Sequence, residues 1–85
     1  MAAYSVLFRE SVWKDLEPIP KRELKRILDR IAALAVAPRP HGCEKLSGQQ
    51  RYRICQGKYR IIYSIEDDNM AVCVVKVGHR KDVYR

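Results

Sequence analysis

The chain has 85 residues, 47% of them apolar and 32% charged, a balance that suits one small folded domain spanning 1–85 and leaves no room for a second core. Seventeen Lys and Arg against ten Asp and Glu leave a formal charge of +7 at pH 7, a field that attracts phosphate backbones, anionic lipid or an acidic protein. The longest uncharged runs, Met1 to Phe8 and Ile31 to Pro38, have eight residues each, against the roughly 20 apolar residues of a membrane-spanning helix. No membrane partner is expected. Cys43, Cys55 and Cys73 are odd in number, widely spaced and free of any Cys-x-x-Cys pair, which argues against a disulfide scaffold or a zinc knuckle. No basic lead precedes an apolar signal core, so the expected compartment is the cytoplasm.

Tyr4 to Phe8 (YSVLF) is rich in aromatic and β-branched residues and apolar on both sides, which predicts a first strand lying inside a sheet. Arg9 to Leu16 forms a brief helix with Val12, Trp13 and Leu16 on one face, stopped by Pro18 and Pro20. A second helix starts from Pro20 as a first-turn residue. Leu24, Ile27, Leu28, Ile31, Leu34 and Ala35 follow the spacing of one buried stripe, and Lys21, Arg22, Lys25, Arg26, Asp29 and Arg30 take the other side. The helix ends near Val36, because Pro38 and Pro40 forbid continuation, and PRPHG reads as a loop.

The period then changes from helical to alternating. Tyr52 and Ile54 fall on one face and Arg51, Arg53 and Cys55 on the other, which predicts a strand. Gln56-Gly57 turns the chain into Tyr59 to Ile65, and Asp67-Asp68-Asn69 turns it again into Met70 to Val77. Val72, Val74, Val75 and Val77 make that last strand apolar on both faces, as a central strand requires. Gly78 releases the polar tail HRKDVYR. The expected fold is α+β, a β-α-α-β-β-β order with the helices packed on one face of a mainly antiparallel sheet.

A two-residue turn at Gln56-Gly57 sets Cys55 opposite Lys58, Ile54 opposite Tyr59 and Arg53 opposite Arg60. Like charges directly opposite one another destabilise a sheet, and a bound polyanion reverses that sign. Arg51 lies two residues along the same face, Lys45 and Lys58 lie nearby, and no acidic residue stands between Lys45 and Arg60. Arginine side chains on an exposed face also splay into water without a ligand; the one-signed, Arg-rich cluster favours an anion-binding face, since the guanidinium fork suits phosphate. The tail adds His79, Arg80, Lys81 and Tyr84, a group of cations beside an aromatic of the kind that stacks on an unpaired base.

The pattern LSG…YRI…GKYRIIYSI…VVKVGHRKDVYR resembles the RelE-type toxins of bacterial type II toxin–antitoxin modules, within the RelE/ParE superfamily, over nearly the whole chain. Its specific parts are the hairpin Tyr-Arg-x-x-x-Gly-x-Tyr-Arg-x-x-Tyr and the tail Val-Gly-His-Arg-x-x-x-Tyr. The resemblance implies a RelE-like microbial ribonuclease fold and a ribosome-dependent mRNA endonuclease neutralised by an antitoxin. Arg53 and Arg60 match basic residues of the family's cleavage site, Arg80 its C-terminal catalytic arginine, and Tyr84 its base-stacking tyrosine. Cys55 departs from the pattern, standing where the family often has Lys or Arg; flanking arginines can lower a thiol's pKa, though a small inert residue is the plainer reading.

The implied reaction is attack of a ribose 2′-hydroxyl on its own 3′ phosphate at the ribosomal A site, which blocks translation. Arg53 and Arg60 would stabilise the phosphate, Arg80 act as general acid or charge stabiliser, and Tyr84 stack on the base. Lys45, Arg51, Lys58, His79 and Lys81 would contact RNA or ribosome. The proton acceptor stays open, because guanidinium is a poor base and His79 reads as a phosphate contact. His41 and His79 lie far apart in sequence and form no ligand-spaced cluster, so neither metal nor cofactor is expected. The expected partners are an acidic antitoxin, the ribosome with its mRNA, and operator DNA reached through the antitoxin complex. Two alternatives stand beside this: a ParE-like inhibitor of DNA gyrase, and a catalytically weak basic module acting through antitoxin and operator.

Overall fold

The computed structural model describes residues 3–46 and 50–83. In chain order they form β1 (Ser5–Phe8), α1 (Glu10–Leu16), α2 (Lys21–Ala33), β2 (Glu44–Lys45), β3 (Arg51–Gln56), β4 (Tyr59–Glu66) and β5 (Ala71–His79). The strands make one sheet in the order β1-β5-β4-β3-β2, with β1 parallel to β5 and every other pair antiparallel. The two helices and the mainly antiparallel sheet form the expected α+β fold, with β2 as an addition to the expected order.

Helix α1 follows Arg9 in extended conformation and buries Val12 and Leu16 against the sheet. Trp13 is half exposed and stacks on Phe8, with ring centroids 5.0 Å apart. Pro20 caps α2 instead of entering it: its ψ is 145°, and its carbonyl accepts the Leu24 amide at 2.8 Å. Ile27, Ile31 and Leu34 are buried, whereas Leu28 at the edge of the same stripe remains 37% exposed. After Ala33, amides of Leu34, Ala35 and Val36 close three-residue turns onto Ile31, Ala32 and Ala33, which tightens the helix end before the prolines.

One face of the sheet meets the helices. Ile54, Ile61, Tyr63, Val72, Val74 and Val77 join the buried helix residues in the main core. Ile62, Val75 and Val83 form a second buried cluster with Leu46 packed against it. A register shift between Ile62 and Tyr63 sets Ile62 opposite Lys76 and Tyr63 opposite Val74, leaving Val75 as the extra residue of β5. The apolar character of both faces of β5 thus has a use on each side.

Four further expectations are corrected. First, β1 is an edge strand, since among the described residues only β5 pairs with it; Leu7 is 55% exposed while Val6 and Phe8 pack against the core. Second, Gln56 belongs to the ladder opposite Tyr59, and the turn is Gly57-Lys58. Gly57 has φ of +60°, and glycine suits the first central position of a II′-type hairpin turn, where a side chain is strained. The register therefore moves by two, placing Arg60 opposite Cys55 and Arg53 opposite Ile62. Third, Gly78 does not release the tail: it pairs with Arg60, and β5 runs on to His79. Fourth, Glu44–Lys45 pairs with β3 as a strand too short to carry a periodic signal.

Candidate RNA-binding face

Strand alternation divides the hairpin. Tyr52, Ile54, Tyr59, Ile61 and Tyr63 turn toward the helix side. Arg51, Arg53, Cys55 and Arg60 share the other face, because Cys55 lies directly across from Arg60 and the two arginines of β3 follow it at spacings of two. Arg53 and Arg60 are diagonal neighbours on this face, typically about 7–8 Å apart between backbone positions.

Each arginine is held differently. Arg60 donates from Nη1 to Cys55 Sγ at 3.1 Å, and its Nε is buried with no hydrogen-bond partner among the described residues. Arg53 donates from Nη2 to the Oε2 of Glu44, directly across the β2–β3 ladder. Arg80 is exposed, but its backbone is pinned: its amide donates to the Lys58 carbonyl at 2.8 Å, tying the tail to the hairpin turn. The amides of Asp82 and Val83 then close onto the His79 carbonyl, and Val83 folds back over Gly78. A Cβ on Gly78 would meet Val83 at 3.7 Å, an ordinary contact, so this glycine is chosen by neither strain nor space.

The face therefore brings Arg51, Arg53 and Arg60 together, with exposed Lys58 and Arg80 joined by the backbone bond at one end. Lys81 lies in the exposed turn beside them, its amide bonded to His79 Nδ1 at 3.2 Å. Two expected members stand elsewhere. Lys45 pairs with Tyr52, the position of β3 that turns toward the helices. His79 pairs with Tyr59 and meets its ring edge-on at 6.0 Å, and both line a cavity of about 410 Å³ between α1 and the end of β5. Burial, reinforced by the Glu23 carboxylate, raises the Tyr59 hydroxyl above its ordinary pKa. Tyr84 lies outside the described residues.

Sequence reasoning missed Glu44. The window from Lys45 to Arg60 is free of carboxylates, yet the strand pairing brings one in from a position just before it. The only signal was the Glu-Lys pair ahead of the LSG segment, too short to read as a strand. Chemically, the described residues of this face offer forked donors for a phosphate, the thiol of Cys55 and the carboxylate of Glu44. Among the described residues, no group of three or more His, Cys, Asp or Glu comes together to hold a metal ion.

Residues 6–84 match the family model described as the ParE toxin of the type II toxin–antitoxin system parDE. The chain is 31% identical over 86 aligned positions to toxin RelG of Mycobacterium tuberculosis, covering 96% of this chain and 97% of that protein. Among solved structures, the toxin–antitoxin complex RelBE2 of M. tuberculosis contains a similar chain, with TM-score 0.82, 26% identity and coverage of 92% and 99%. The archaeal RelE–RelB complex of Pyrococcus horikoshii contains another, with TM-score 0.82, 29% identity and coverage of 94% and 98%.

Proposed function

The chain belongs to the ParE toxin family of type II toxin–antitoxin systems as a RelE-type toxin, and from that premise we propose that it is a ribosome-dependent, metal-independent mRNA endonuclease. The observation that carries this reading is the arginine cluster of Arg51, Arg53 and Arg60 on one face of the hairpin, with Arg80 tethered to the hairpin turn.

In the proposed reaction, the 2′-hydroxyl of an A-site nucleotide loses its proton and attacks the adjacent 3′ phosphorus. The bond from phosphorus to the 5′-oxygen breaks, and that oxygen takes up a proton, leaving a 2′,3′-cyclic phosphate and a 5′-hydroxyl. Negative charge grows on the non-bridging oxygens as the phosphorane forms. Forked donors aimed at those oxygens are worth most at that moment, because they are already oriented and need not reorganise. Arg53 and Arg60 take this role from opposite sides of the diagonal. Arg80 serves the leaving oxygen as acid or charge stabiliser, and Tyr84 stacks on the base. Arg51, Lys58 and Lys81 add contacts to RNA or ribosome; Lys45 and His79, on the other side of the sheet, are assigned to ribosome contact away from the scissile phosphate.

A surface of +7 also suits an acidic antitoxin, which would mask the toxin in the cytoplasm and carry it to operator DNA. The antitoxin partner is supported by the similar chain of M. tuberculosis, described as part of a toxin–antitoxin complex, and by that of P. horikoshii, described as a RelE–RelB complex. The family model is described as a ParE toxin, so the second reading is a ParE-like inhibitor of DNA gyrase, against which the set of Arg53, Arg60, Arg80 and Tyr84 argues.

Primer extension on a ribosome-bound message separates the two. The expected result is new 5′ ends at A-site codons with the wild-type protein, lost in Arg60→Ala and Arg80→Ala and weakened in Tyr84→Phe. Uncut message together with inhibited DNA supercoiling would replace the endonuclease with the gyrase reading.

A further inference from the structure

Glu44 stands directly across from Arg53, and its Oε2 accepts from Arg53 Nη2. The two side chains differ in exposure, at 22% for Arg53 and 65% for Glu44. The arginine is thus the more buried partner of the pair and the glutamate the more exposed. A carboxylate beside a phosphate-binding arginine works against RNA attraction, because it cancels the charge that draws the polyanion. It also gives something: a charge-assisted bond to a neighbouring strand narrows the rotamers that an arginine on a sheet face samples.

We propose that Glu44 is a positioning residue for Arg53, holding its guanidinium in the orientation that meets the scissile phosphate in the transition state, at a cost in ground-state attraction for RNA. The inference rests on the endonuclease reading. It demands two effects of opposite sign. Removing the carboxylate withdraws one negative charge from beside Arg53 and tightens RNA binding, and it takes away one of the contacts that orient the guanidinium and slows the chemistry. A residue with a merely structural role moves neither quantity, and one that only screens charge moves binding without lowering the rate.

The test uses ribosomes programmed with a defined message. Single-turnover cleavage at saturating toxin reads the chemical step, and affinity is measured with the same message carrying a 2′-deoxy sugar at the cleavage position, which removes the nucleophile. Glu44→Ala is expected to bind about threefold tighter at low salt, as the loss of one opposing carboxylate predicts, and to cut at least about tenfold more slowly, as displacement of an oriented group predicts. Glu44→Asp restores the charge and returns affinity toward wild type with part of the rate. Arg53→Ala loses both binding and rate. Thermal unfolding of Glu44→Ala close to wild type confirms that the fold is retained. Wild-type cleavage accompanied by Glu44→Ala cleavage at the wild-type rate, or by unchanged affinity, overturns this inference alone. A wild-type protein that leaves the message uncut overturns the endonuclease reading, and this inference with it.

Discussion

Replacing Cys55 by lysine tests both the hairpin register and the chemistry of the departure from the family pattern. In the structure Cys55 faces Arg60 and accepts its Nη1 at 3.1 Å. Lysine removes that acceptor, for which about 0.5 kcal/mol is a fair value at an exposed site. It also sets an ammonium across from a guanidinium. Two unit charges about 7 Å apart in water repel by about 0.6 kcal/mol, from 332 divided by the product of 80 and 7. The sum is about 1 kcal/mol, or a fall in Tm of about 4–8 °C for a domain of this size. The Coulombic half is screened where the Debye length shrinks to about 3 Å at 1 M salt, so about half of the fall should be regained there. Cys55→Ser keeps an acceptor without charge and should stay within about 0.5 kcal/mol of wild type. Calorimetry of the three proteins at low and high salt makes the measurement. On the functional side, one more cation on the face should steepen the logarithmic salt dependence of RNA binding by about 0.7 and raise the cleavage rate. A Tm loss independent of salt, or no loss at low salt, would refute the placement of Cys55 opposite Arg60. An unchanged salt slope would refute its place on the RNA face.

Other outcomes follow from the groups that brace the fold. Tyr63 is fully buried, stacks on Tyr52 and donates its hydroxyl to the Pro38 carbonyl at 2.7 Å. Tyr63→Phe should therefore cost about 1 kcal/mol in a urea titration, and equal stability would show that the bond contributes nothing. Burial also raises the Tyr63 hydroxyl above its ordinary pKa of 10.0; the unfolded chain ionises first, so stability falls as pH rises past that value, and the alkaline loss should be shallower in Tyr63→Phe. The Asp67 carboxyl is lowered from 3.8, first by the Arg39 guanidinium and then by the Tyr4 hydroxyl. Its stabilising effect is present above that value and lost as pH falls through the lower folded one, because the unfolded chain then binds the proton more readily. Asp67→Asn should flatten the acid side of the urea midpoint measured from pH 6 to pH 2.5, and an unchanged slope would count against the contact.

Much of the architecture was legible in one dimension because local periodicity records which side of an element is buried. The stripe of Ile27, Ile31 and Leu34 and the alternation of Tyr52 and Ile54 against Arg51 and Arg53 both describe faces that the structure confirms. The basic residues of β3 and β4, and the thiol at Cys55, were likewise visible as a one-sided cluster. Which residue faces which was not. A hairpin register turns on a single backbone dihedral, and the left-handed φ of Gly57 moved the ladder by two, preserving every side chain's face while changing its partner. Parity survived, so the arginine face survived; the direct Arg53–Arg60 opposition became a diagonal, with Cys55 taking the place across from Arg60. Edge or centre was also beyond local reading. The apolar β1 lies at the sheet's margin because β5, which arrives last in the chain, takes the position between β1 and β4. The carboxylate at Arg53 depended on the same kind of long-range pairing, through a two-residue strand too short for any period. Sequence alone determined the balance of charge and the faces on which it lies; tertiary structure decided the partners, because pairing is set by chain segments that local patterns do not connect.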